Sequence, residues 1–279
     1  MAATRPEAAS SADQLDRFGV VTSRTKHDLE RFVALLVEWQ RAHNLVAPGA
    51  LAEIWTRHVA DSLQLLAHAP PGFREWVDLG SGAGFPGLVV AIVSRDWVPH
   101  PGSGGGGPPK AVEGADIGAA HVTRPLHHAS HGPLPPSSHD EGGTGCSTSD
   151  RVTGTEARHF TLVESNAKKA AFLRAAIRET GANATVAAER IEAHATGWGR
   201  RADVISARAL APLPALLGLA APYVRKESLM LLLKGREYVE ELVAASQTWA
   251  FDVVDYASAT DSGGRVLAIR NLSPKAPTP

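Results

Sequence analysis

Cysteine is almost missing from this chain: Cys146 is the single one in 279 residues. A lone thiol forms no internal disulfide, so the fold must rest on a packed core, and the composition suits a reducing compartment. Long apolar runs are missing as well. No stretch of 18 apolar residues occurs, and Met1 to Asp16 is polar and alanine-rich without the apolar segment of a signal peptide. The sequence therefore supports neither a membrane span nor secretion, and the expected location is the cytoplasm. The third absence is an excess of charge of one sign. With 28 basic and 29 acidic residues the net charge is -1, so the whole-molecule field has no bias toward nucleic acid. Only local clusters could serve a polyanion: Arg24, Lys26 and Arg31, then Lys168 with Lys169, then Arg200 with Arg201. Each of these taken alone reads as a solvated face.

What is present is 44% hydrophobic residues, enough for one sizeable core and a small accessory piece. The stretch that organises the rest is Val77-Asp78-Leu79-Gly80-Ser81-Gly82-Ala83-Gly84-Phe85-Pro86-Gly87. It reads as a buried strand, a glycine-rich turn and the start of a helix. Glycines at 80, 82 and 84 let the backbone bend and approach a ligand closely, and the free N–H groups of the following helix point back at the turn. Three readings fit. Gly82-x-Gly84-x-x-Gly87 satisfies the dinucleotide fingerprint. Asp78, at the strand end, would repel a pyrophosphate but suits the cationic sulfonium and ammonium of S-adenosylmethionine. A tight βα turn without a ligand is the third.

Residues 1–22 lack periodicity and read as a flexible N-terminal arm. A helical cap is expected over 23–72. Thr25-x-x-Asp28 has the form of a capping box, with Leu29, Phe32, Val33 and Leu36 on one stripe behind it. A second helix, from Leu51 to Ala67, aligns Trp55, Val59, Leu63 and Leu66 and stops at Pro70-Pro71-Gly72. From 73 to 273 strands and helices alternate, the mark of an α/β domain with a mostly parallel sheet. Its strands are expected at Glu75–Leu79, His159–Glu164, Ala184–Ala188, Asp203–Ala207 and Leu229–Leu233. An antiparallel pair, Phe251–Tyr256 and Arg265–Arg270, closes the sheet through Asp261-Ser262-Gly263-Gly264, giving seven strands. Helices are expected from Pro86 to Ser94 and from the N-cap Asn166 to the stop at Gly181.

Between Val98 and Arg158 glycine, proline, serine and histidine displace apolar residues. Such a segment cannot bury enough surface to offset its ordering entropy, and it reads as a disordered insertion. Six histidines fall here, His100, His121, His127, His128, His131 and His139, together with Cys146. Their spacing matches no zinc pattern, so no metal site is assigned.

In a Rossmann-type unit an acidic residue about 20 positions past the glycine loop holds the ribose hydroxyls. Glu164 lies 80 residues past Gly84, and removing the 61 residues of the insertion leaves 19. Ala188-Glu189-Arg190-Ile191-Glu192 follows the third strand, where main chain can meet an adenine edge and Ile191 its face; an ordinary helix start is the alternative. Ser206-Ala207-Arg208-Ala209 ends the fourth strand near the switch point, and an arginine there is a candidate for function.

Taken together, these pieces resemble the bacterial small-subunit (16S) ribosomal RNA guanine-N7 methyltransferase family, also called glucose-inhibited division protein B. The matching residues are Asn44-Leu45, Arg57-His58-Val59-Ala60-Asp61-Ser62, the Val77–Gly87 stretch, Glu164-Ser165-x-x-Lys168-Lys169-x-x-Phe172-Leu173, Arg190-Ile191-Glu192, Ser206-Ala207-Arg208-Ala209 and Leu233-Lys234-Gly235. They run in the family's order from about residue 29 to 270 outside the insertion. The resemblance implies a Rossmann-like, S-adenosylmethionine-dependent methyltransferase fold that modifies N7 of a guanine in 16S ribosomal RNA of the small subunit. It implies cofactor contacts at Gly80, Phe85, Ile191, Glu192 and Arg208, with Asp78, Gly82, Gly84 and Glu164 in the same pocket. Arg208, Arg57 and His58 are the catalytic candidates. Two roles are open for the Arg57-His58-x-x-Asp61-Ser62 signature: lining the guanine or phosphate side of the cleft, or fixing the cap onto the sheet through Asp61. N7 of guanine carries a free lone pair, so the motifs need no general base. A monomer without an obligate protein partner is expected. A small-molecule methyltransferase and a non-catalytic ribosome-associated binding protein are the alternatives.

Overall fold

The computed structural model describes residues 12, 15, 21–98, 121–123 and 157–276. A mixed sheet forms its middle layer. The strands are β1 (Glu75–Leu79), β2 (His121–Thr123), β3 (His159–Val163), β4 (Ala184–Ala187), β5 (Val204–Arg208), β6 (Leu229–Lys234), β7 (Trp249–Ala257) and β8 (Arg265–Pro274). Their order across the sheet is β2-β7-β8-β6-β5-β1-β3-β4. β1 pairs in parallel with β3 and β5, β5 with β6, and β3 with β4, whereas β8 runs antiparallel to both β6 and β7. The seven expected strands are therefore present, with the antiparallel pair at one side. β2 is an addition. It lies inside the segment read as a disordered insertion and pairs in parallel with Asp252–Val254 of β7.

The helices are α1 (Ser23–Gln40), α2 (Ala60–Leu63), α3 (Gly87–Ser94), α4 (Ala167–Thr180), α5 (Ile191–Gly197), α6 (Leu213–Ala220) and α7 (Tyr238–Ser246). They divide the core in two. On one face α1, α3 and α4 enclose Phe32, Leu36, Leu88, Ile92, Phe160, Phe172 and Leu173. On the other Leu213, Leu217, Tyr223, Leu242 and Phe251 pack on Val77, Ile205 and Leu232. α3 is buried at every position, which its unbroken apolar run requires. α4 starts on the Asn166 side chain, which accepts from the amides of Lys168 and Lys169, and ends at Gly181 in the left-handed region (φ 64°).

Three expectations need correction. The capping box of α1 is built by Thr22 and Thr25, whose side chains exchange bonds with each other's amides. Thr25 is the third residue of the helix, and Asp28 instead pairs with Arg95, which also donates to the carbonyls of Thr180 (2.7 Å) and Gly181 (3.1 Å) and so ties α1, α3 and α4 together. The second cap helix is irregular. A tight turn at Pro48–Glu53 leads into a wide one at Ile54–Val59, then α2, then a tight turn at Gln64–Ala67. The stripe of Trp55, Val59, Leu63 and Leu66 is nonetheless buried as expected. Finally, Arg158 belongs to the folded body. Its guanidinium lies 5.1 Å from the Phe73 ring and 4.8 Å from Trp97 and donates to the carbonyls of Ser94 and Trp97. Of the expected N-terminal arm, Ala12 and Leu15 are buried. The rest of residues 1–20 and of the insertion lies outside the described residues.

Candidate active site

Gly80, Gly82 and Gly84 all take positive φ (67°, 56° and 96°), and this turns the chain at the carboxyl end of β1 toward α3. The turn is held from the neighbouring strand. Ser81 N–H donates to the Val163 carbonyl (3.0 Å) and Gly82 N–H to the Glu164 carboxylate (2.8 Å), whose other oxygen accepts from the Asn166 amide (2.7 Å). Glu164 is thus the bracket between the glycine turn and the start of α4. Each of its oxygens retains acceptor capacity.

A cleft of about 280 Å³ opens beside it. Gly80, Gly82, Glu164, Ile191 and Glu192 line it together with Leu210 and others, so five of the expected cofactor residues converge there. Ile191 supplies its apolar wall. Tyr223, buried on the other side, donates to the Ile191 carbonyl (3.1 Å) and meets His194 Nδ1 at 2.8 Å, which fixes the first turn of α5.

The other expected cofactor residues lie elsewhere. Asp78 is fully buried behind the turn: one oxygen accepts from Ser206 Oγ (2.6 Å), whose own oxygen accepts from Trp76 Nε1 (2.8 Å). The second oxygen has no well-formed hydrogen bond and faces Gly87, whose backbone amide still favours the charged form. Burial pushes this carboxyl up to about 6, offset in part by the Ser206 hydroxyl. The sulfonium contact expected of Asp78 is therefore not made by a side chain open to the cleft. Gly84 faces Leu88 and Phe32. Phe85 packs edge-on to Phe32 (5.4 Å) and against His58 (5.0 Å), joining the cap to the turn.

Arg208 lines a second cleft of about 420 Å³, shared with Arg57, Asp61, Lys234, Thr260 and Arg265. Ala209 and Leu210 line both clefts, which therefore adjoin there. Ala209 takes φ 49°, a conformation that is costly for alanine, and Leu210 closes over Gly80, where an added Cβ would lie 2.6 Å from its side chain. Lys234 is held by the Ala211 carbonyl (2.9 Å) and Glu241 (2.6 Å), bracing the same loop.

Of the two roles left open for the cap signature, the hydrogen bonds of Asp61 are those of fixing the cap. Asp61 Oδ1 accepts from Gln64 Nε2 (2.5 Å) and Thr260 Oγ1 (2.8 Å), and Gln64 Oε1 accepts from the Ala259 amide (3.0 Å). This fastens the cap to the loop between β7 and β8. Arg57 lies on the cleft, paired with Glu53 at 3.0 Å. His58 is half-buried, and burial, followed by Arg208 and Arg57, pushes its pKa down to about 4. It packs against Phe85 and is not among the residues that line the cleft. Gln64, Ser258, Thr260 and Leu210 were not singled out by sequence reasoning. Their partners lie on distant segments, and the loop residues had signalled only a turn. Among the described residues no group of three or more His, Cys, Asp or Glu could hold a metal ion.

A family model described as rRNA small subunit methyltransferase G matches residues 25–99 and 153–269. The chain is 36% identical over 269 residues to ribosomal RNA small subunit methyltransferase G of Methylobacterium nodulans, covering 96% of this chain and 99% of that protein. It is 37% identical over 276 residues to the protein of the same name from Rhodopseudomonas palustris strain HaA2, covering 99% and 91%. A solved O-methyltransferase from Bacillus cereus in complex with SAH is 12% identical, with a TM-score of 0.46 over 87% of this chain and 91% of that one.

Proposed function

The chain belongs to the rRNA small subunit methyltransferase G family, and on that footing we propose that it is an S-adenosylmethionine-dependent methyltransferase acting on N7 of a guanine in 16S ribosomal RNA. The observation that carries this reading is the pair of clefts adjoining at Ala209 and Leu210, one lined by the glycine turn and the other by arginines.

The first cleft fits the cofactor. At Gly82 an added Cβ would have no neighbour nearer than the Gly80 carbonyl at 3.8 Å, so bare backbone faces the cleft. Glu164 would hold the ribose hydroxyls with its unused acceptor capacity, and Ile191 would cover a face of the adenine. Glu164, Glu189 and Glu192 outnumber Lys169 and Arg190 on the cleft, and with Asp78 beneath the turn they leave its surroundings net negative. That disfavours the pyrophosphate of a dinucleotide and favours a cation. When bound, S-adenosylmethionine supplies an electrophilic methyl group on a sulfonium.

The second cleft would take the base. N7 needs no deprotonation, so the residues need only orient it and exclude water. A neutral His58 and an ion-paired Arg208 are consistent with that, and Arg57 and Arg265 would contact phosphate, making binding salt-dependent. We read the protein as a monomer acting in the cytoplasm on the small subunit or its RNA. No helix among the described residues is long and apolar enough to cross a membrane.

Mass mapping of modified guanines in small-subunit RNA from cells with and without the protein tests the reading. One guanine should lose its N7 methyl group when the protein is absent, and the purified protein with S-adenosylmethionine should restore it. Identical maps from both cells would overturn the proposal.

A further inference from the structure

Arg208 leaves the end of β5 half-buried in the second cleft, and among the described residues its guanidinium makes no hydrogen bond; Nη1 in particular is buried without a partner. Its one charge partner, Asp61 Oδ2, stands 3.7 Å away, beyond hydrogen-bond reach. Asp61 itself is held rigidly, because Oδ1 accepts from Gln64, Thr260 and, at 3.4 Å, Ser258. Oδ2 receives no hydrogen bond from those groups. The cleft thus presents a fixed acceptor beside a set of unused donors. Unpaired donors of this kind, in a partly desolvated site, are costly unless a ligand meets them.

We propose that Asp61 and Arg208 together read the lactam edge of the target base, Arg208 donating to its carbonyl oxygen and Asp61 Oδ2 accepting from the adjacent ring N–H. Guanine (O6 and N1–H) and uracil (O4 and N3–H) offer that edge. Adenine and cytosine offer the reverse polarity, and both would leave Arg208 and Asp61 unpaired. Only guanine joins such an edge to an N7. The division of labour also keeps N7 free. Arginine alone commonly takes O6 and N7 of guanine together, which would block the lone pair that must be methylated. Asp61, by engaging N1–H, draws Arg208 to O6 and leaves the N7 lone pair open to the methyl group, where the two clefts adjoin at Ala209 and Leu210.

This rests on the methyltransferase reading above, and the test separates the two. Once the methylated position is mapped, small-subunit RNA is assembled by ligation with guanine, hypoxanthine or 2,6-diaminopurine at that position. Hypoxanthine keeps O6 and N1–H. Diaminopurine keeps N7 but has an amino group at C6 and an unprotonated N1. The wild-type protein should methylate guanine and hypoxanthine at similar rates and diaminopurine on the order of tenfold to a hundredfold more slowly. In Asp61→Asn the amide can donate to the unprotonated N1, so the guanine-to-diaminopurine ratio should fall. Arg208→Lys, which leaves the cap latch intact, should also reduce it, and because the ratio compares two RNAs under one variant at one cofactor concentration, any change in affinity for S-adenosylmethionine cancels. Equal wild-type rates on all three RNAs would overturn the base-reading role and leave the methyltransferase reading standing. Failure of the wild-type protein to methylate the guanine RNA would overturn both.

Discussion

Gly82 and Gly87 share one turn, yet a methyl group added at each meets different surroundings. At Gly87 it would lie 2.5 to 2.6 Å from the Asp78 side chain, so the glycine is what lets α3 close onto β1. At Gly82 it would stand in open space at the cleft, opposed only by the positive φ. Gly87→Ala should therefore cost stability, roughly 1–3 kcal/mol as overpacking, while its folded fraction still binds S-adenosylmethionine. Gly82→Ala should cost about 1–2 kcal/mol of backbone strain and, unlike Gly87→Ala, lose cofactor affinity. Calorimetric titration below both unfolding midpoints distinguishes them, and wild-type affinity in Gly82→Ala would contradict the placement of the cofactor. The glycines were legible because positive φ leaves a compositional trace. The surroundings of Asp78 were not. Its hydroxyl partner Ser206 is its register neighbour on β5, and only the strand order decides that the carboxyl turns inward.

The irregular cap helix shows the same limit at the scale of an element. Its buried stripe could be read because a wide turn at Ile54–Val59 displaces the spacing only slightly, and Trp55, Val59, Leu63 and Leu66 still share a face. Its attachment could not, since Gln64 reaches Ser258 and Ala259 across 194 and 195 residues of sequence. Gln64 is buried and its amide is fully engaged in this latch. Gln64→Ala strands the Ala259 amide and takes one donor from Asp61, which keeps Thr260 and Ser258, a loss of about 1–3 kcal/mol by the usual cost of unpaired buried groups. The first cleft contains no cap residue. Denaturant unfolding should register the destabilisation, and RNA methylation should fall while S-adenosylmethionine affinity holds. A matching fall in cofactor affinity would show that the cap supports the first cleft after all.

For the molecule as a whole, the spacing argument that placed Glu164 worked because the sheet is indifferent to chain inserted before β3. Glu164 is positioned by β3 pairing with β1 and β4 and by its own bonds to Gly82 and Asn166. A deletion should accordingly respect the folded boundary, removing residues 99–156 and keeping Arg158, which binds Ser94, Trp97 and Phe73. Joined by a short Gly/Ser connection, the chain closes a smaller loop at little entropic cost. Cofactor affinity and methylation should stay within a few fold, about 1 kcal/mol or less. The deletion also removes β2, which pairs with β7 at the margin of the sheet. That leaves a row of unpaired backbone groups on β7, a template for strand addition, so the shortened protein should self-associate more at high concentration, measurable by sedimentation. Should it fold, remain monomeric and bind S-adenosylmethionine yet fail to methylate RNA, the inserted segment would be part of substrate recognition, not a bystander to the reaction.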